Sequence, residues 1–178
     1  EAKRLKAETE KLEESTNSLN DSINNSSKAY EENQRNIEAS AKKNQYLADR
    51  IEELAAKENK SAAEKKLLND YIQQLNDSVH GLNLSYNEEA NALNMSSEEM
   101  RTRINLIAEQ ASYNEALARQ VEIAKEQNAV EQQVAEINDL REEWNQKLEE
   151  GTVKASEHKE AMKELDEQEK SLKETNAQ

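Results

Sequence analysis

The chain has 178 residues, a formal net charge of −14, and no cysteine, proline or phenylalanine. Charged residues make up 35% of it and aromatic residues only 3%, a composition typical of long helices and coiled coils rather than of an ordinary globular domain. The acidic balance argues against nucleic-acid binding, which depends on Lys and Arg neutralising phosphates. The lack of cysteine excludes disulfide bonds and thiolate zinc sites, and no apolar run is long enough to cross a membrane.

Both ends of the sequence lead us to expect a segment of a larger protein. It starts without a methionine in the charged stretch EAKRLKAETEK, and it stops within the helical pattern SLKETNAQ. Neither end resembles a signal peptide.

The first 80 residues carry one uninterrupted heptad frame in which most d positions are leucine, starting from Leu5. Such a long run of apolar a and d positions predicts a coiled-coil helix over residues 1–80. Several a and d positions are polar, among them Glu58, Ser61 and Lys65. Because polar seam residues lower stability, we expect residues 58–65 to be the softest part of this helix.

A second coiled-coil helix is predicted over residues 97–176. The stretch from Ser96 to Glu99 fits a capping box, which marks a helix start. The heptad frame of this helix is regular in its later part and shifts phase between residues 100 and 125.

Two arms of nearly equal length around one break predict an all-α fold, a long antiparallel helical hairpin in which each arm buries the seam of the other. Matching the two frames predicts a register with these seam pairs: Leu19 by Met162, Tyr30 by Gly151, Ile37 by Trp144, Leu47 by Val134, Ile51 by Val130, Leu68 by Tyr113 and Leu75 by Leu106. In this register Tyr30 lies opposite the only glycine of the second arm.

The break, residues 81–96, alternates apolar and polar residues on both sides of the polar stretch NEEANA. Alternation of period two predicts two short strands, so we expect a β-hairpin-like tip at about 82–96. The residues that a partner would contact at this tip are Gly81, Leu82, Leu84, Tyr86, Leu93 and Met95.

The tip also carries a recognisable motif. It consists of a Leu-Asn pair ending the first helix, then Gly-Leu-Asn-Leu-x-Tyr, a short polar stretch, and Leu-Asn-Met-Ser before the second helix. The residues are Leu75, Asn76, Gly81, Leu82, Asn83, Leu84, Tyr86, Leu93, Asn94, Met95 and Ser96. This motif resembles a segment of the tail tape measure proteins of long-tailed phages of Gram-positive hosts.

The resemblance implies a structural role in a phage tail. Tape measure proteins are long helical chains that fill the tail lumen during assembly, set the tail length and leave with the genome. A hairpin of this length spans only about 120 Å, roughly half of what the same residues give as one helix. The tryptophan repeat and the lytic domain found in other members do not occur here.

No pattern of catalytic, cofactor-binding or metal-ligating residues is found, so we do not expect an enzyme. His80 and His158 lack a second metal ligand of the usual spacing. Two functions remain open: a tape measure segment, in a phage tail or in the host cytoplasm during assembly, and a generic coiled-coil spacer or tether that binds a partner through its tip. A chaperone-like hairpin is a weaker third. We expect a homo-oligomer, with other coiled coils or tail proteins as further partners.

Overall fold

The computed structural model describes residues 1–177. The described residues form four helices and one two-stranded sheet, and the all-α class is confirmed. The elements are α1 (Ala2–Ala55), α2 (Ala62–Ser78), β1 (Tyr86–Asn87), β2 (Ala92–Leu93), α3 (Ser97–Glu149) and α4 (Ala155–Ala177). The chain divides into two compact units. Unit 1 contains Glu1–Tyr30 and the chain from Ala118 onward, and unit 2 contains Glu31–Leu117.

Neither predicted long helix is continuous. The first arm breaks after Ala55, and α2 begins at Ala62 behind a complete capping box. Ser61 Oγ accepts a hydrogen bond from the Glu64 backbone N–H at 3.1 Å, and Glu64 Oε1 accepts one from the Ser61 N–H at 3.0 Å. The Ser-Ala-Ala-Glu sequence is therefore a helix start, whereas the heptad frame assigned Ser61 and Lys65 to the seam of a helix.

The second arm breaks at Gly151. The Gly151 N–H bonds to the Leu148 carbonyl and the Thr152 N–H bonds to the Lys147 carbonyl, while Gly151 has φ of +73°. This hydrogen-bond pattern is a Schellman motif, in which a glycine at positive φ ends a helix without steric cost. The predicted pairing of Gly151 with Tyr30 is wrong because Gly151 ends α3 instead of making room for a ring.

Unit 1 is built from the first part of α1, the later part of α3 and the whole of α4. Along α1, Thr9 bonds to Trp144, Leu12 lines a surface cleft with Leu140, and Ile23 lines another with Ile123. Partner numbers fall as α1 numbers rise, so α1 and α3 run antiparallel here. The buried apolar residues of this unit are Leu5, Leu12, Ile23, Val130, Ile137, Trp144, Val153, Ala161, Leu165 and Leu172.

The short helix α4 folds back along α3. The Asn145 side chain bonds to His158, and Arg141 forms ion pairs with Asp166 at 2.6 Å and with Glu169 at 2.7 Å. The break at Gly151 thus lets α4 cover the same core that α1 and α3 enclose.

Unit 2 repeats this arrangement with α2 as the short helix. The Arg50 guanidinium lies 6.0 Å from the Tyr71 ring centre, which places α2 beside the end of α1. Arg101 at the start of α3 bonds to Glu52, and Ser112 bonds to Gln34, so α1 and α3 are again antiparallel. The buried apolar residues are Leu47, Ala48, Ile51, Leu54, Leu68, Ile72, Leu75, Val79, Leu82, Leu84, Met100 and Ile104.

The predicted seam register is wrong. Trp144 meets Thr9 of α1 instead of Ile37. The side chains of Leu106 and Tyr113 are 58% and 64% exposed, and therefore do not lie buried against Leu75 and Leu68. The reason is that α2 and α4 fold back, which leaves α1 to pair with α3 in a different register.

The remaining predicted pairs have separate outcomes. Leu47 and Ile51 are buried in unit 2, whereas Val130 is buried and Val134 is half-buried in unit 1. Leu19 and Met162 are half-buried against the core of unit 1. Tyr30 and Ile37 are half-buried side chains of α1.

Two threonines on one face of α1 give a test of the core of unit 1. Thr9 and Thr16 are each 1% exposed; Thr9 Oγ1 accepts the Trp144 Nε1–H bond at 3.1 Å, whereas Thr16 Oγ1 has no partner among the described residues. We expect Thr9→Val to lower the free energy of unfolding by about 1–3 kcal/mol, because it leaves the buried Trp144 Nε1–H without an acceptor. Thr16→Val removes an unpaired hydroxyl and is the control, with an unchanged or higher stability expected. Urea unfolding of both variants measures the difference; equal losses would contradict the assigned role of Thr9.

Candidate functional site

The tip begins where two residues at positive φ reverse the chain after α2. Gly81 has φ of +86° and Asn83 has φ of +51°, a region that glycine and asparagine adopt most readily. The Leu82 N–H bonds back to the Val79 carbonyl at 3.2 Å. The reversal turns Leu82 and Leu84 into the core of unit 2, where they are 0% and 3% exposed.

Asparagine side chains provide the hydrogen bonds that this extended segment would otherwise lack. Asn76 of α2 donates to the Leu84 carbonyl at 2.8 Å and accepts from the Leu84 N–H at 2.9 Å. Asn94 accepts from the Ser85 N–H and donates to the Asn83 carbonyl, both at 2.8 Å. A side-chain amide carries both a donor and an acceptor, so each asparagine pairs with the backbone as a neighbouring strand does.

Two short strands are present in the tip. Tyr86 pairs with Leu93 and Asn87 with Ala92 in an antiparallel sheet of two residues per strand. The connecting turn is closed by a bond from the Ala90 N–H to the Asn87 side chain and by one from the Asn91 N–H to the Glu88 carbonyl. A β-hairpin-like tip is therefore present, and it is centred on residues 86–93.

The predicted contact residues of the tip mostly pack inward. Leu82 and Leu84 are buried, and a partner would not reach them. Tyr86, Leu93 and Met95 are half-buried against the same core, while Gly81 serves the chain reversal. The apolar alternation of the tip thus supports its own fold and leaves only partial side-chain surfaces to solvent.

The tip also holds the turn between α1 and α2, a second role that the local sequence pattern did not predict. Lys60 in this turn donates through Nζ to the carbonyls of Ala55 at 3.2 Å and Lys57 at 2.6 Å, and also to Asn91 Oδ1. The same ammonium lies 5.2 Å from the Tyr86 ring centre, within the range of a cation–π interaction. Lys60 therefore joins the end of α1 to the β-hairpin.

Asn91 completes this contact from the hairpin side. It has φ of +50°, and its Nδ2 donates to the carbonyls of Lys57 at 3.3 Å and Glu58 at 3.2 Å. The Tyr86 hydroxyl donates to Asn91 Oδ1 at 2.7 Å. We call Lys60, Tyr86 and Asn91 the clasp. Tyr86 belongs to the predicted tip, whereas Lys60 lies far from it in sequence, which explains why no local pattern predicted the contact between them.

Charged groups strengthen the α1–α2 turn further. Lys57 pairs with Glu64, and this ammonium, followed by the Ser61 N–H, lowers the pKa of Glu64 to about 2. Across to the hairpin, Lys65 pairs with Glu88 at 2.7 Å, which raises the pKa of Lys65. Both pairs are exposed to water, so their contribution to stability is small.

Within residues 1–177 no group of three or more His, Asp or Glu side chains is placed to hold a metal ion, and no helix is apolar and long enough to cross a membrane. A surface cleft of about 360 Å³ in unit 1 is lined by Lys3, Lys6, Glu157, Glu160 and Glu164 beside Trp144. Burial, followed by the charge of Glu160, raises the pKa of Glu164.

The lowered pKa of Glu64 predicts an acid-dependent contribution to stability. Because its pKa in the folded chain lies below the ordinary value of about 4.3, the contribution is complete above that value and is lost as the pH falls towards 2. Glu64→Gln removes the charge that pairs with Lys57 and keeps a side-chain acceptor for Ser61. We expect the Tm of the variant to be lower than that of the native chain at pH 7 and to match it near pH 2. A Tm difference that does not change with pH would contradict this assignment.

Comparison with known proteins finds no match among family models, curated protein sequences or solved structures.

Proposed function

We propose that the chain is a structural coiled-coil segment of a phage tail tape measure protein that contributes to tail assembly and length determination. The observation that carries the proposal is the tip motif, whose residues have specific positions in the fold of unit 2. Asn76 and Asn94 bond to the backbone, Gly81 reverses the chain, and Leu82 and Leu84 fill the core. The resemblance therefore rests on residues that shape a tertiary structure and does not depend on helical periodicity alone.

The helices supply the physical basis for a role in length. A helix rises 1.5 Å per residue, so a helical segment converts chain length into distance. In each unit a short helix folds back, so α2 and α4 do not extend the helices that precede them. A tape measure segment would be located in the phage tail, or in the host cytoplasm during assembly.

The alternative function is a generic coiled-coil spacer or tether in a bacterial or eukaryotic scaffold, with cytoplasmic localisation, that binds a partner through its tip. The burial of Leu82 and Leu84 weighs against a tip that docks through these side chains. The parent gene separates the two functions: a very long reading frame with further coiled coil supports the tape measure, and a membrane anchor or motor domain supports the tether.

A deletion in the parent gene tests the length function. Removal of all 178 residues is expected to shorten the tails in electron micrographs, by up to about 270 Å if the segment lies as extended helix and by less if it stays folded back. The control replaces the segment with an unrelated coiled coil of equal length and should restore the tail length. Tails of unchanged length after the deletion would overturn the proposal.

Self-association is the second part of the proposal, and the surface of α3 in unit 2 supports it. Leu106, Tyr113 and Leu117 are 58%, 64% and 41% exposed. With spacings of seven and four residues they share one side of the helix, and between them lie the uncharged Gln110 and Asn114. Because this row carries no charge, a second copy of the acidic chain can pack against it. Such packing would form a homo-oligomer, and the same row could also contact other coiled coils.

Charge substitution in this row tests self-association. We expect Leu106→Glu with Tyr113→Glu to shift the molecular mass measured by sedimentation equilibrium towards the monomer, because the carboxylates would have to be desolvated in an apolar contact. Ala111→Glu adds the same type of charge at an exposed position on a different side of the same helix and is the control, with a small effect expected. A native chain that stays monomeric at high concentration would refute self-association.

A further inference from the structure

We propose that the clasp couples the β-hairpin to the turn between α1 and α2, so that the hairpin and the first part of α2 open together as one cooperative element. This device is independent of the tape measure proposal, because it depends only on contacts within unit 2. Its parts are Lys60 on the turn, and Tyr86 and Asn91 on the hairpin.

Three carbonyl groups near the end of α1 accept hydrogen bonds from side chains. The Ala55 carbonyl lies at the end of α1, where a helix leaves its last carbonyls without partners, and those of Lys57 and Glu58 lie in the turn that follows. Lys60 and Asn91 supply side-chain donors to these three groups. Loss of the hairpin therefore removes hydrogen bonds from the turn as well as from itself.

The contact from Asn91 to the turn depends on the backbone conformation of this residue. Its side chain reaches the turn from a residue at φ of +50°, and this backbone state belongs to the hairpin turn that Asn87 and Glu88 close. Only a few residue types adopt positive φ readily. The contact with Lys57 and Glu58 thus exists only while the hairpin turn is formed.

The hairpin in turn depends on support from the α1–α2 turn. A sheet of two residues per strand is marginal in water without further support. Asn91 Oδ1 accepts hydrogen bonds from both the Tyr86 hydroxyl and the Lys60 ammonium. Lys60 of the turn therefore also stabilises the hairpin that carries Tyr86 and Asn91. Because each part stabilises the other, the coupling between them is reciprocal.

Hydrogen exchange of the full chain measures this coupling. Asn91→Gly keeps positive φ accessible and deletes every side-chain bond of Asn91. We expect amide exchange to accelerate about fivefold to thirtyfold both in residues 86–93 and in residues 56–65, which corresponds to the loss of one or two net hydrogen bonds. Exchange in unit 1 should stay unchanged and is the internal reference.

A second variant separates coupling from direct contact. Asn87→Ala removes the bond to the Ala90 N–H, and among the described residues Asn87 forms no side-chain hydrogen bond with the α1–α2 turn. Coupling predicts that this variant also accelerates exchange in residues 56–65, whereas independent elements would confine the effect to the hairpin. Confinement of the effect of either variant to residues 86–93 would overturn the proposal.

The reciprocal variant lies on the turn. Lys60→Met keeps the aliphatic stem and removes the ammonium that reaches Asn91 and the Tyr86 ring. Coupling predicts faster exchange in residues 86–93. A uniform acceleration that includes residues 44–54 and 100–104 would also count against the clasp, because the opening would then be that of the whole unit.

Discussion

Two helix stops determine the architecture of this chain. Each of the long helices α1 and α3 is followed by a short turn and a short helix that returns along it. One stop precedes the capping box of Ser61 and Glu64, and the other is the Schellman motif at Gly151. Without them, α1 and α3 would continue in one direction, and the apolar rows of α2 and α4 would face solvent or a partner. With them, three helical segments enclose a core in each unit.

Polar side chains specify the geometry in both units. In unit 1, Trp144 bonds to Thr9, whose carbonyl accepts a further bond from Gln168 of α4. In unit 2, asparagines replace the backbone partners of the extended segment. A buried polar group is costly unless it is paired, so a shifted register would leave these groups unpaired. The cores thus combine modest apolar volume with hydrogen bonds that favour one arrangement.

The heptad pattern predicted the helical class and most of the buried leucines, and it failed at the turns. Periodicity indicates which side of a helix is apolar, but it does not show where a helix ends. Leu54 of α1 and Leu68 of α2 occupy d positions of the same heptad frame, although the chain reverses between them. The Ser-Ala-Ala-Glu capping box and the single glycine of the second arm were local signals for the two stops. The regular heptad frame runs across both stops, so a register derived from that frame alone treats each arm as one continuous helix and pairs the wrong residues.

The tip shows the same division between local and long-range information. Two arms of nearly equal length predicted a chain reversal at the tip, and alternation of apolar and polar residues predicted its short strands. Local pattern did not predict that Leu82 and Leu84 lie in the core, or that Asn91 and Lys60 meet across the hairpin and the α1–α2 turn.

The sequence by itself determined the all-α class, the helix faces and the position of the central break, since these follow from composition, periodicity and turn chemistry within a few residues. Only the tertiary structure decided which faces meet. Leu106 and Tyr113 have the same spacing as core residues, yet they are exposed because no helix of their own unit covers them. Which helix faces pack together depends on the free energies of competing packings of the whole chain. The local sequence around an apolar residue does not specify its partner.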